Sequence, residues 1–211
     1  MTIYFKRSIR FFGLVALVPF IIAIIGVWND GIGFLLFLFA IPAMFIVLLV
    51  GAVIWFSRGV KLAREVANAR NKAVLWASAP ALLIATVLMV WPLLAGGKFI
   101  GNLARLAANQ SRYQAIITKA QVDQKPASFE EYRGVTYSVD LGPPIRVAFN
   151  PAGMLDNWSG IVFDPTGDVM KADGFDAQGK FFAPDRITRL FGGDLVSCRH
   201  LWGDYYSCSF T

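Results

Sequence analysis

The chain has 211 residues, 56% of them hydrophobic, and a formal net charge of +6 at pH 7. Three long charge-free runs account for most of the hydrophobicity, and a chain this short cannot wrap three such runs in its own polar surface, which excludes an ordinary water-soluble globule. The charge is confined too: residues 1–95 carry eight basic and two acidic side chains, whereas 96–211 carry twelve of each. The basic balance therefore reports membrane topology, and no nucleic-acid partner is expected.

The runs cover 11–28, 32–56 and 73–95. Each reaches the roughly 20 apolar residues that cross a hydrocarbon core, and in lipid a helix is the simplest way to satisfy the backbone. Lys6, Arg7 and Arg10 precede the first run. Arg58, Lys61, Arg64, Arg70 and Lys72 lie in the basic segment 57–72 between the second and third. The link at 29–31 has no Lys or Arg. Positive charge marks the cytoplasmic side, so the N-terminus and 57–72 are expected inside and the region after residue 95 outside. The first run is long and a second follows after a very tight turn, which favours an uncleaved span over a secretory signal. Trp28, Trp55, Trp76 and Trp91 sit near span ends and are expected to anchor in the two interfaces. The segment 57–72, with Val60, Ala63, Val66 and Ala67 on one side and basic groups on the others, predicts a short helix on the membrane surface.

No ionisable residue falls inside a span, which argues against a proton-coupled transporter. Residues 1–95 thus read as an anchor. Residues 96–125 predict a helical stalk, either continuous with the third span or broken at Gly96-Gly97. Leu103, Leu106, Ile116, Ile117 and Ala120 form its partial apolar face.

From Pro126 the pattern changes to short strands and turns. Strands are expected at 135–141, 145–149 and 160–164, with a loop over 150–160. A hairpin is expected to join 160–164 to 169–171 across Pro165-Thr166-Gly167-Asp168. A short helix is expected over 184–191, and a terminal pair of strands flanks Trp202-Gly203-Asp204. The fold class is therefore a membrane α-helical part with three transmembrane helices, plus a small exported α+β domain, mostly antiparallel β, over 126–211. Cys198 and Cys208 are the only cysteines. They flank the terminal hairpin on the expected oxidising side and are expected to form a disulfide.

Chemistry-bearing motifs are sparse. His200, the single histidine, has Ser197, Ser207, Asp194 and Asp204 nearby in sequence but no nucleophile elbow. Asp164, Asp168, Asp173 and Asp176 occur among glycines without calcium-loop spacing, so turns are expected there rather than a metal site. No Walker, dinucleotide or HExxH pattern occurs, so no catalytic residue, metal or cofactor is assigned. Trp158, Arg199, His200, Trp202 and Tyr205 are the candidate interface residues, because aromatics and Arg dominate interface hot spots.

The functional expectation is a multi-pass bacterial inner-membrane protein. Its N-terminus would be cytoplasmic and its C-terminal domain periplasmic. That domain would bind a protein partner, as an accessory subunit of an envelope assembly or as an immunity protein against a toxin. The competing classes are a membrane-anchored periplasmic hydrolase using His200 and a small oligomeric channel or transporter subunit. Lipid is the other expected contact.

Overall fold

A computed structural model describes the chain except for residues 155–156, 176 and 180–182. It divides into two compact units, Met1–Gly101 and Asn102–Thr211.

The first unit is helical. Helix α1 spans Thr2–Trp28, α2 spans Asp30–Glu65, and α3, Ala69–Asp123, begins here and runs on into the second unit. All three are long and apolar enough to cross a membrane by length and composition. The α1–α2 turn is as tight as the sequence predicts. Asn29 alone separates the helices, and its side-chain oxygen accepts the backbone N–H of Ile32 at 3.0 Å, capping α2. The two helices approach at Gly26 and Gly33, where a Cβ on Gly33 would strike the Gly26 backbone. At the other end of this unit the Tyr4 hydroxyl donates to the Trp55 carbonyl at 3.0 Å and lies 3.0 Å from Ser78 Oγ, joining all three helices through one polar group. Phe12, Met44, Leu48, Leu75 and Ala79 fill the space beside it.

The separate surface helix expected over 57–72 does not form. Helix α2 continues through Glu65, and the link to α3 is only 66–68. Its apolar positions keep the helical phase of the preceding span. Asn68 then caps the next helix by accepting the Arg70 N–H at 2.8 Å.

The second unit pairs the end of α3 with a curled antiparallel half-barrel. Its strands are β1 Ala127–Tyr132, β2 Val135–Asp140, β3 Arg146–Met154, β4 Asn157–Phe163, β5 Arg189–Leu190, β6 Gly193–Trp202 and β7 Tyr205–Phe210. They lie in the order β1-β2-β3-β4-β7-β6-β5. Strand β1 was not anticipated. It is mostly exposed and irregular, with Phe129 at φ 53° beside a register shift, so it lacks the apolar alternation that marks a strand.

Alternation along the inner strands buries both faces of the sheet. Val147, Phe149, Ile161 and Tyr205 face α3, where the Tyr113 ring stacks on Phe149 at 4.1 Å. Ala148, Val162, Tyr206, Cys208 and Phe210 face a second core with Val169, Ala172, Ile187, Leu190 and Leu195. A short helix, α4, at Asp185–Thr188 contributes Ile187 to that core.

Two expectations fail in the middle of the sheet. The loop placed at 150–160 is instead the continuation of β3 and the start of β4, while its 155–156 link lies outside the described residues. Asn150 at φ 47° and Pro151 mark a bulge, where the register shifts between Phe149 and Ala152. The 160–171 hairpin is absent as well. Strand β4 pairs with β3 and β7, and Asp168–Lys171 forms a 3-10 turn. The Asp164 carboxylate draws the chain into that turn. It accepts the backbone N–H groups of Thr166 at 3.1 Å and Val169 at 3.0 Å, and the Thr166 hydroxyl at 2.8 Å.

Candidate functional site

The second unit carries an open cleft of about 370 Å³ beside the β6–β7 turn. One wall is α3, which presents Leu103, Leu106, Ala107 and Gln110. Their spacing puts them along one helix flank, whose edge residue Leu106 also belongs to the row with Tyr113 and Ala120 that packs on the sheet. The other wall is Trp202 and Tyr205, the residues on either side of the turn. Gly203 at φ 54° lets that turn close in two residues.

Tyr205 and Trp202 play opposite parts. Tyr205 is 5% exposed, lies among Tyr113, Phe149 and Phe163, and its hydroxyl receives the Gln114 amide N–H at 2.8 Å. Tyr205, one of the candidate interface residues, is buried: it faces the helix and forms the cleft wall. Alternation along β7 points Tyr205 to the sheet face that α3 covers, which is why it is buried while Trp202 is not. Trp202 stays 70% exposed at the rim.

The other expected interface residues scatter. Trp158 is half-buried, stacked on Phe210 at 3.9 Å with Phe191 at its edge, which suits a packing role. Arg199 and His200 are exposed on β6. His200 Nε2 donates to the Gly203 carbonyl at 2.8 Å, and its ring lies against Tyr206 at 5.3 Å. That contact steadies the turn beside Trp202 and is not the hydroxyl-and-carboxylate arrangement of a catalytic histidine. Among the described residues no three His, Cys, Asp or Glu side chains gather to hold a metal. Of the four aspartates read as turn formers, Asp176 lies outside the described residues.

In the helical unit, Trp28, Trp76 and Trp91 are exposed, while Trp55 is packed against Tyr4 with the Arg58 guanidinium 5.0 Å over its ring. Lys6, Arg7, Arg10, Lys61, Arg64 and Arg70 are exposed, and Lys72 is half-buried. Cys198 and Cys208 form the expected disulfide, directly across the β6–β7 pair with Cα atoms 4.1 Å apart.

Sequence reasoning missed Tyr113 and Arg146. Tyr113 is fully buried, and its hydroxyl receives the Asn150 amide at 2.6 Å. Burial pushes its phenol up to about 12, against the opposing pull of Arg105 and the Asn150 hydrogen bond. Burial raises Tyr205, Tyr137 and Tyr206 as well. Folding therefore favours the neutral phenols. Their contribution is intact below the unfolded pKa of 10.0 and is lost as pH climbs toward about 12. Tyr113 alone is expected to cost about 2–3 kcal/mol across that window. Urea midpoints measured from pH 9 upward check this, and Tyr113→Phe should flatten the alkaline limb.

Comparison with protein-family models, characterised proteins and solved structures finds no match to this chain.

Proposed function

We propose that this is a multi-pass bacterial inner-membrane protein whose periplasmic domain docks a protein partner at the Trp202 cleft. The observation that carries the reading is a 70% exposed tryptophan on the rim of a cleft with a largely apolar lining. An exposed indole beside an apolar cavity gains most from a partner side chain that fills it and excludes water. The rigid base supports this use: Tyr205 is fixed by Gln114, and the hairpin is fixed by the disulfide.

The anchor reading is supported by three helices that each carry a long charge-free apolar run, and the basic residues flanking those runs favour a cytoplasmic N-terminus and a periplasmic C-terminus. The partner role is that of an accessory subunit of an envelope assembly, or of an immunity protein that captures a toxin. Both require a docking surface and no catalytic group.

The test is a photoreactive residue at position 202 in cells, with crosslinked chains identified by mass. A discrete adduct that diminishes in an Ala107→Glu background, at an exposed position of the cleft wall, supports the reading. Trp202→Ala is expected to weaken the identified partner by about 30-fold, the equivalent of a hot spot of about 2 kcal/mol. A clean crosslinking blank, with the chain inserted and its disulfide intact, would sink the proposal. Reporter fusions at each terminus test the orientation separately.

A further inference from the structure

The outward face of α1 in the first unit carries cations that nothing in that unit answers. Tyr4, Ser8 and Phe12, four residues apart, are buried in the bundle. The opposite row is Lys6, Arg10, Leu14, Leu17 and Ile21, all exposed, with the exposed Arg7 beside it. The row therefore begins with charge and continues as an apolar strip. The acidic residues of 1–95 are Asp30 and Glu65. They stand at the two ends of α2, Asp30 beside the far end of α1 and Glu65 beyond its start. Lys6, Arg7 and Arg10 form no ion pair among the described residues.

Depth sets these three cations apart from the other basic residues of the unit. The Tyr4 hydroxyl reaches the Trp55 carbonyl, and a Cβ on Gly51 would strike the Phe11 ring. Lys6, Arg7 and Arg10 therefore stand level with 51–55, inside the charge-free run 32–56. Arg58 is the first basic residue beyond that run, and Arg10 sits about seven residues of helix, ~10 Å, deeper. In α3, Ser78 lies beside Tyr4 and Gly97 beside Phe20, so α3 runs parallel to α1 and Lys72 stands on the outer side of the Tyr4 level.

We propose that Lys6, Arg7 and Arg10 bind the phosphate of an anionic phospholipid whose acyl chain lies along Leu14, Leu17 and Ile21. This rests on the anchor reading given above. With the charge-free runs in a bilayer, an arginine at the depth of Arg10 is costly without an anion or water. A helical side chain leans toward the helix N-terminus, so Arg10 reaches outward onto Lys6 and Arg7. Three cations within one turn repel each other, and no carboxylate of the unit stands at that level to offset them. A phosphodiester between them does, because a guanidinium can hold two of its oxygens at once. Dissolved phosphate matches the charge but has to enter the edge of the hydrocarbon to reach Arg10. A lipid phosphate is already held there by its acyl chains, and the apolar strip continues the same face below it.

The test uses full-length protein in an uncharged detergent, titrated with phosphatidylglycerol or with phosphatidylcholine of the same acyl chains. Native mass spectrometry counts the lipids retained. Phosphatidylglycerol is expected to bind at least about tenfold more tightly. Arg10→Gln should weaken it about fivefold, and the triple change Lys6→Gln, Arg7→Gln, Arg10→Gln should erase the preference. Arg10→Lys should keep most of it. Removing two cations nearer the surface, Arg64→Gln with Arg70→Gln, should leave it unchanged, and glycerol phosphate in large excess should not displace the lipid. Equal retention of the two lipids, an equal loss in the surface control, or displacement by glycerol phosphate would each overturn the proposal. Alkaline carbonate extraction of membranes tests the anchor separately. A wild-type chain that is extracted sinks the anchor reading and this proposal with it, whereas a chain that stays in the membrane but shows no lipid preference sinks this proposal alone.

Discussion

Arg146→Met is expected to destabilise the second unit by about 3–5 kcal/mol, the cost of leaving a buried charge without its partner. Arg146 is 1% exposed and Asp164 is not exposed at all. Arg146 Nε lies 3.1 Å from Asp164 Oδ1 but is not aligned for a hydrogen bond, so this contact is Coulombic. The guanidinium also donates to Thr166 Oγ1 at 3.3 Å and lies 3.6 Å from Asp168 Oδ2. The carboxylate, beyond its charge, holds the turn through the N–H groups of Thr166 and Val169. The two partners should therefore behave differently. Asp164→Leu loses the ion contact and the turn together and should be the worse of the two single changes. Combining Arg146→Met with Asp164→Leu removes both charges, so the double variant should recover part of the loss. Recovery stays incomplete because two backbone donors remain unmatched. Urea unfolding of the full chain, followed by near-ultraviolet circular dichroism, gives the four corners of this cycle. A single-variant loss below about 1 kcal/mol would mean the pair is solvated and contributes as a surface ion pair does.

This pair also shows where the sequence was and was not legible. The apolar helices could be read because length and charge exclusion are local properties, and the terminal hairpin because strands flank a Gly-containing turn. The short surface helix was misread because the basic residues that end a span look the same whether the helix stops or continues past them. Asp164 was recognised as a turn former, yet its role could not be followed further. Its partner is eighteen residues earlier in the sequence, and only the β3–β4 register brings the end of one strand against the start of the other. A charged residue heading an apolar strand, as in Ile145-Arg146-Val147, was the available signal. The cleft was half legible. Trp202 and Tyr205 stood out by type, but which one would be exposed depended on α3 covering a sheet face, and that is a non-local fact.

Replacing both cysteines, Cys198→Ala with Cys208→Ala, is expected to cost about 2–3 kcal/mol from the entropy of the short loop that the bridge closes. For a unit of this size that lowers the melting temperature by about 10–20 °C. The bridge joins directly opposed residues of β6 and β7, and Cys208 is fully buried against Ala148, Val162 and Phe210. Alanine at 208 keeps most of the apolar contact, so the loss reports the crosslink more than the packing. The same pair of strands carries Trp202 and Tyr205, and β6 shifts register between His200 and Trp202. The crosslink therefore holds the hairpin register that shapes the cleft wall. Reduction of the native chain with a dithiol should lower its melting temperature to that of the double variant and leave the variant itself unmoved. Equal melting temperatures for oxidised, reduced and doubly substituted chains would show that the strand ladder alone sets the hairpin. In that case the cleft would not depend on the redox state of its surroundings.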